Sequence, residues 1–587
     1  MDTNGRNPNP SNSLVSQLMS RLETERNGHN TAERALLGQV TAADTERGVT
    51  IHLRREQPVE LLRQGQFVVV EGQHLRFFGT IGAFRLATTD PAVGMDPPDS
   101  SSPLIRDTLS RSTTYAECNV RLALEMVEGS VRPARTIPGP FSQSYTAGQQ
   151  DYQTVFGTED KHHFIVGSPR ELDESLAAEA PICIDLRKFV ERSNGIFGRS
   201  GTGKSMLARL LLCGLIKSEA AVNLIFDMHS EYATEKELEP RGTGKYAKGL
   251  RDLFGKSRVA LYTMDEEDSR KRGGADGVIR IALSDITIDD IEALGSELKM
   301  SEGSAMLITA RQAYRKLGRN WIERLVSMGP GELEEYCAET GANSGSVEAL
   351  KRRLENIADF SFVVNSKQAV GTGIDGLISD LRAGRHVILM FGKFRSTLAY
   401  MLVANILTKR IHDEWVRWSE RHEQDREGTE APRPLMITIE EAHKFLGRDS
   451  TTIFGTIARE MRKYLVTLMV IDQRPSGIDD EVMSQIGTRV TALLNDDKDI
   501  DAVFMGIRGG GQLKALLATL DSKQEVMVMG HAVPMEVVLR VRSFDADFYK
   551  SLTTAGPSTT AGQARTIGEN IIKSEQKKAS LEDLFGE

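Results

Sequence analysis

Four cysteines are all that the 587 residues contain, and Cys118, Cys183, Cys213 and Cys337 lie far apart. That spacing excludes a C-x-x-C zinc site and a disulfide framework, and it suits buried thiols in a reducing compartment. Positive charge is also in short supply. The formal net charge of −9 excludes a globally basic nucleic-acid coat, although a few Lys and Arg lining an inner wall would not show in that sum. No uninterrupted apolar run approaches the length of a membrane span, and the opening MDTNGRNPNPSNS is polar rather than charged and then apolar. A cytoplasmic location with no membrane partner is the expectation. No internal repeat is evident, and the length calls for two or three units rather than one core.

What is present is a phosphate cradle. Residues 198 to 205 read GRSGTGKS, after the apolar Gly195, Ile196 and Phe197 and before the helical run MLARLLLCGLI. Glycines let backbone N–H groups close around phosphate oxygens at a helix N-terminus, where the helix dipole favours anions. Gly198, Arg199, Ser200, Gly201, Thr202, Gly203, Lys204, Ser205 and Met206 are the expected ATP-binding residues. Lys204 reaches for the β- and γ-phosphates and the Ser205 hydroxyl for Mg²⁺. About 230 residues later, LMITIEEAH ends an apolar strand in two carboxylates. Glu440 is assigned to the Mg²⁺ shell and Glu441 to the attacking water. Gln473 ends the next apolar run, VTLMVIDQ, where a neutral amide can sense the γ-phosphate without adding negative charge. A plain turn residue before Pro475 is the alternative.

The pattern along the chain divides it. Residues 1–33 are Asn-, Ser- and charge-rich and read as a flexible arm. Residues 34–160 hold short alternating segments, LLGQVTAA, VTIHLRR, QFVVVEG, HLRFFGTIGAFRLA and NVRLALEMV, with the glycine turns of a small β-barrel. RPARTIPGPF and TAGQQDYQT read as a connection, and PICIDLRKFV as a lead-in. Residues 161–551 read as an α/β ATPase domain. The runs VNLIFDMHSEY, RVALYTM, GRHVILMFG, LMITIEEAHKFL, YLVTLMVIDQRPS and RVTALLN imply a parallel central sheet covered on both faces. From about 285 to 380 helical periodicity replaces strands and marks an insertion. EVMVMGHAVPMEVVLRVRSF is a closing β-like piece, and 552–587 is a polar tail.

GRSGTGKS, DMHSEY, ITIEEAHKFL, AREMRKY and IDQRPSGIDDEVMSQIGTRV, in this order and spacing, resemble the motif series of the HerA-type hexameric ATPases within the HerA/FtsK group of P-loop translocases. The resemblance covers roughly residues 35 to 550, including the barrel and the insertion. It implies a RecA-like core and a homohexameric ring that hydrolyses ATP between subunits and moves double-stranded DNA through its channel. It further implies arginines at the phosphoryl group: Arg192 from one side of the interface, and Arg459 or Arg462, in AREMRKY, from the other. For each, an ordinary surface arginine remains the alternative. A partner nuclease or an antiphage effector, such as a sirtuin-like NAD-consuming enzyme, would supply chemistry for which this chain has no signature. The competing reading is an ATP-binding hexameric scaffold that assembles and regulates such an effector.

Some positions depart from the pattern. Glu440 stands where many P-loop enzymes have aspartate, and Leu493 stands where the family commonly places a further arginine. Asp227, His229 and Glu231 alternate as a metal site would, but read as a strand-end motif with Glu231 an auxiliary polar group. RGTGKY at 241 to 246 imitates a P-loop, but Glu239 occupies the place of the leading glycine and Tyr246 replaces the final Ser or Thr. Lys393, Arg395 and Arg508 are candidate phosphate contacts for DNA, against solvated loop charge. Leu581, Leu584 and Phe585, at i, i+3 and i+4, read either as one short amphipathic face for a neighbour or partner or as a loosely packed terminal helix.

Overall fold

A computed structural model describes residues 34–55, 57–95, 108, 112–127, 129–172, 180–237, 246–267, 274–300, 303–366, 373–447, 452–507, 510–521 and 524–553. The arm 1–33, Arg508, Leu581, Leu584, Phe585 and the imitation P-loop up to Lys245 lie outside the described residues. The chain divides into two compact units, Met1–Gly157 with Glu171–Pro181, and Thr158–Arg170 with Ile182–Glu587.

In the first unit, seven strands are β1 (Leu36–Asp44), β2 (Gly48–Leu53), β3 (Phe67–Glu71), β4 (Arg76–Thr88), β5 (Thr114–Val127), β6 (Ser130–Pro133) and β7 (Gln143–Thr146). Their order is β2-β1-β7-β3-β4-β5-β6, and β2 pairs back onto β5 to close a barrel of six strands. Alternation builds it: Val49, Ile51 and Leu53 turn inward to meet Val68, Val70, Ile81 and Val120. At Gly38 a Cβ would lie 2.0 Å from the His52 carbonyl oxygen, so the β1–β2 approach requires glycine. The segment read as a connection contributes β6, β7 and the helix Gln149–Phe156. β7 closes the barrel between β1 and β3, pairings distant in sequence that leave no local signal in QSYT.

The second unit is built on a sheet that begins with β8 (His163–Pro169), β9 (Ile182–Asp185), β10 (Asn194–Phe197) and β11 (Val222–Asp227). After a two-residue pair, β12 (Lys236–Glu237) and β13 (Tyr246–Ala247), come β14 (Val259–Thr263) and β15 (Gly277–Val278). A second short pair, β16 (Ile281–Ala282) and β17 (Val363–Val364), precedes β18 (His386–Met390), β19 (Leu435–Glu440) and β20 (Val466–Asp472). β21 (Thr488–Thr491), β22 (Glu525–Gly530) and β23 (Val537–Val541) complete it. The order is β15-β14-β18-β11-β19-β20-β10-β21-β22-β23-β8-β9, parallel from β15 to β21 and antiparallel from there on. Strands β11, β18, β19 and β20 are buried along their whole length, as parallel strands covered on both faces must be. The sheet is therefore mixed, extended by the closing piece and by the lead-in residues.

The insertion is the crossover between the parallel neighbours β14 and β18. It holds the helices Ile288–Ala293, Ala305–Leu317, Trp321–Ser327, Pro330–Thr340, Ser344–Ala358 and Ile374–Arg382. Val347, Leu350, Leu354 and Ile357 repeat at helical spacing and pack in the same core cluster as Trp321, whose indole N–H donates to the Ile286 carbonyl at 3.1 Å. Among the described residues no helix is long and apolar enough to cross a membrane.

Candidate active site

The phosphate loop lies where three parallel strands end together. Phe197, the last residue of β10, is in register with Asp472 on β20 and Thr491 on β21, and Glu440 on β19 is in register with Ile471. Insertion of β20 between β10 and β19 places Asp472 and Gln473 between the loop and the paired glutamates. Ligands of open parallel sheets bind at such carboxyl ends.

From Gly198 the loop turns into the helix Lys204–Ser218. Gly203 caps that helix at φ 84° and Gly201 sits at φ 80°, a left-handed region that a side chain would strain. The Thr202 hydroxyl donates to the Arg199 carbonyl at 2.8 Å, while Arg199 and Ser200 are exposed. Lys204 Nζ folds onto the carbonyls of Gly198 (2.8 Å) and Arg199 (3.0 Å). Burial lowers its pKa, and the charges of Glu441, Asp472 and Glu440 only partly restore it. A cation so placed faces the anion that the loop is shaped to take. Met206 follows as a half-buried residue of the first helical turn.

Glu440 is buried. Its Oε1 accepts the Tyr232 hydroxyl at 2.8 Å, its backbone N–H donates to the Tyr400 hydroxyl at 3.1 Å, and its Oε2 is buried without a hydrogen-bond partner. Burial, with Asp227, Glu231 and Glu441 adding like charge, pushes its pKa up to about 8 against the opposing Tyr232 bond. Ser205 stands close enough to Glu231 to lower the pKa of its carboxyl. Burial raises that carboxyl, but the Lys236 ammonium at 2.7 Å and Ser205 outweigh it and hold it below its ordinary value. The orphaned Glu440 oxygen and the Ser205 hydroxyl are both hard oxygen donors, the kind that Mg²⁺ takes. Asp227 is spent on structure: its oxygens accept the backbone N–H groups of Glu231 (2.7 Å) and Tyr232 (3.0 Å), and His229 points into solvent.

Glu441 begins the turn after β19 in a left-handed conformation, φ 52° and ψ 46°. The Gln473 amide donates to its two oxygens at 3.2 and 3.4 Å, joining the two residues assigned to water and γ-phosphate. The sequence reading gave no role to Asp472 or His443, which stand beside them. Buried Asp472 accepts the His443 backbone N–H at 2.6 Å, its ring Nδ1 at 2.9 Å and the Arg474 backbone N–H at 2.7 Å. Tyr232 and Tyr400 were missed as well. The first sits inside DMHSEY, where a buried tyrosine five residues after a strand end is a usable signal; the second comes from a helix about 40 residues upstream and gives none.

The arginines lie elsewhere. Arg192 precedes the four-residue β10 and Arg462 the seven-residue β20, so both stand at the amino edge of the sheet, about 13 Å and about 23 Å of strand from its carboxyl end at roughly 3.3 Å per residue. Arg462 is 3.8 Å from Glu191, which also binds His531 at 2.8 Å and feels the charge of Arg192. Arg192 and Arg462, expected on opposite sides of a subunit interface, stand together on one edge of this chain. They precede strands that are parallel neighbours, and they gather on one carboxylate of one chain. Arg459 is exposed on the helix Ile453–Glu460, its guanidinium over Gly455. Lys393, 3.7 Å from Asp265, and Arg395 are exposed in the turn after β18.

Comparison with known proteins gives a consistent picture. Residues 171–411 match the family model described as helicase HerA, central domain. The DNA double-strand break repair helicase HerA of Sulfurisphaera tokodaii is 32% identical over 532 residues, which span 87% of this chain and 93% of that protein. Its namesake from Pyrococcus furiosus is 23% identical over 385 residues, 62% of this chain and 67% of that one. Among solved structures, the bacterial conjugative coupling protein TrwB is similar at 11% identity and a TM-score of 0.44, over 68% of this chain and 92% of that chain.

Proposed function

This chain belongs to the HerA family of P-loop ATPases, and from that premise we propose that it is an ATP-driven double-stranded DNA translocase or helicase working as a homohexameric ring in the cytoplasm. The observation that carries the reading is the meeting of Lys204, Glu440, Glu441 and Gln473 at the carboxyl ends of β10, β19 and β20. The relatives' names, DNA repair helicases, supply the DNA.

In this reading the loop from Gly198 to Met206 binds ATP, with Lys204 neutralising the β- and γ-phosphates. Ser205 and Glu440 would hold Mg²⁺, which when bound supplies charge neutralisation at the phosphates. Glu441 takes the proton of the attacking water and Gln473 senses the γ-phosphate. A neighbouring subunit brings the amino edge of its sheet, so that Arg192, Arg462 and Arg459 complete the site in trans. The unit up to Gly157 is the barrel domain and the remainder the motor. Lys393 and Arg395 are candidates to track DNA phosphates.

Purified protein is expected to hydrolyse ATP with stimulation by duplex DNA, and Glu441→Gln to retain ATP without turnover. Absence of wild-type turnover, with and without DNA, in protein that binds ATP would rule the motor out.

One observation favours a second role beside the first. Of the seven large hydrophobic side chains exposed among the described residues, five, Leu61, Leu86, Met95, Ile137 and Phe141, belong to the barrel unit, and Tyr246 and Ile308 to the other. Such apolar exposure suits a docked partner protein, a nuclease or an antiphage effector. Co-purification of the product of a neighbouring gene with wild-type protein, lost on Phe141→Asp and Leu86→Asp, tests it.

A further inference from the structure

Glu441 is held by contacts that its assigned role does not explain. A left-handed backbone is uphill for glutamate, and such conformations persist only where neighbours over-determine them. Here the neighbour is Asp472. Its Oδ2 takes the His443 backbone N–H at 2.6 Å and fixes the turn two residues after Glu441. The same carboxylate takes His443 Nδ1, which turns the other ring nitrogen, Nε2, toward Glu441 Oε2 at 3.8 Å.

A ring nitrogen facing a carboxylate attracts it only when it carries a proton. With Nδ1–H given to Asp472, a neutral imidazole would present its lone pair to Glu441, whereas the imidazolium presents N–H. Gln473 is the other group on Glu441, and the two cannot stay joined if that amide turns to the γ-phosphate. We propose that Asp472 and His443 form a positioning pair, in which the imidazolium holds Glu441 over the attacking water once Gln473 has turned to the phosphate.

The proposal rests on the ATPase reading and refines it. His443 is faced by Asp472, Glu441 and Lys444. The Asp472 hydrogen bond raises its pKa; burial opposes the rise, the charges of Asp472 and Glu441 add to it, and Lys444 subtracts. The charged form therefore persists above the ordinary histidine range and is lost as pH rises further.

The test is the kcat–pH profile of DNA-stimulated ATP turnover in the full-length protein, alongside ATP affinity. Wild type is expected to lose kcat on an alkaline limb above the ordinary histidine pKa. His443→Gln is expected to lower kcat about 10- to 100-fold, as misplacement of a reacting group does, with ATP affinity changed less than twofold and the limb abolished. Asp472→Asn, which keeps an acceptor for the turn, should move the limb to lower pH. A wild-type profile without that limb overturns the proposal, and needs no variant to fold. A His443→Gln enzyme within twofold of wild type, or slowed with the limb in place, overturns it too. Either result leaves ATP turnover by the wild type, and so the ATPase reading, standing. Loss of wild-type turnover itself would instead remove the ATPase reading.

Discussion

Glu440 combines one satisfied oxygen, one orphaned oxygen and a pKa pushed up to about 8. A carboxyl whose folded pKa exceeds its unfolded value binds a proton in the folded state that the unfolded state has already released. Between the ordinary value of 4.5 and about 8, stability therefore falls as pH rises. Glu440→Gln removes the titrating group while leaving an acceptor for Tyr232. Without nucleotide or metal, this variant is expected to melt above wild type at pH 8, with the gap closing toward pH 5. A gap of constant size across that range would show that Glu440 does not carry the burial cost. The position of Glu440 and Glu441 at a strand end was legible in the sequence because an apolar run stops there. The environment was not. Tyr232 and Tyr400 arrive from other elements, and only the fold shows that one glutamate is sealed off while its neighbour bonds Gln473.

At the level of elements, sequence reading succeeded where burial is continuous. VNLIFD, HVILM, LMITIE and VTLMVID are mostly apolar because both faces are covered, and such runs need no partner to be recognised. It failed at QSYT, where only Ser144 is buried and its hydroxyl donates to the Gly38 carbonyl at 3.0 Å. That strand exists because the barrel must close. It left open where the arginines act, because the end of the sheet that Arg192 and Arg462 occupy is set by the direction of the strands they precede. The crossover insertion was legible from its helical spacing, and its packing into the main core makes a prediction. Trp321 is wholly buried and donates to Ile286. Trp321→Ala is expected to cost about 3–5 kcal/mol in denaturant unfolding, as large aromatic truncations do. A loss below about 1 kcal/mol would mean that the insertion unfolds independently of the sheet.

On the scale of the assembled molecule, the decisive feature is that one chain keeps its phosphate loop and its arginines at opposite ends of the same strands. Arg192 and Arg462 cluster with Glu191 and His531 at the amino edge, while Lys204 and Glu441 stand at the carboxyl edge. If a neighbour supplies the arginines, the two halves of one site can be damaged on different polypeptides and restored by mixing. Lys204→Ala subunits keep intact arginines, and Arg462→Ala subunits keep an intact loop. Each preparation alone is expected to be nearly inactive, because an arginine on the transferring phosphoryl group contributes roughly 10³- to 10⁵-fold. Mixed under conditions that let subunits exchange, they should recover ATP turnover wherever a Lys204→Ala subunit presents its Arg462 to an Arg462→Ala loop. The double variant Lys204→Ala, Arg462→Ala mixed with Arg462→Ala has no such pairing and should stay inactive. If the first mixture is no more active than its components, although labelled subunits are seen to exchange, Arg462 does not act across the interface and the amino-edge cluster is a structural salt-bridge network.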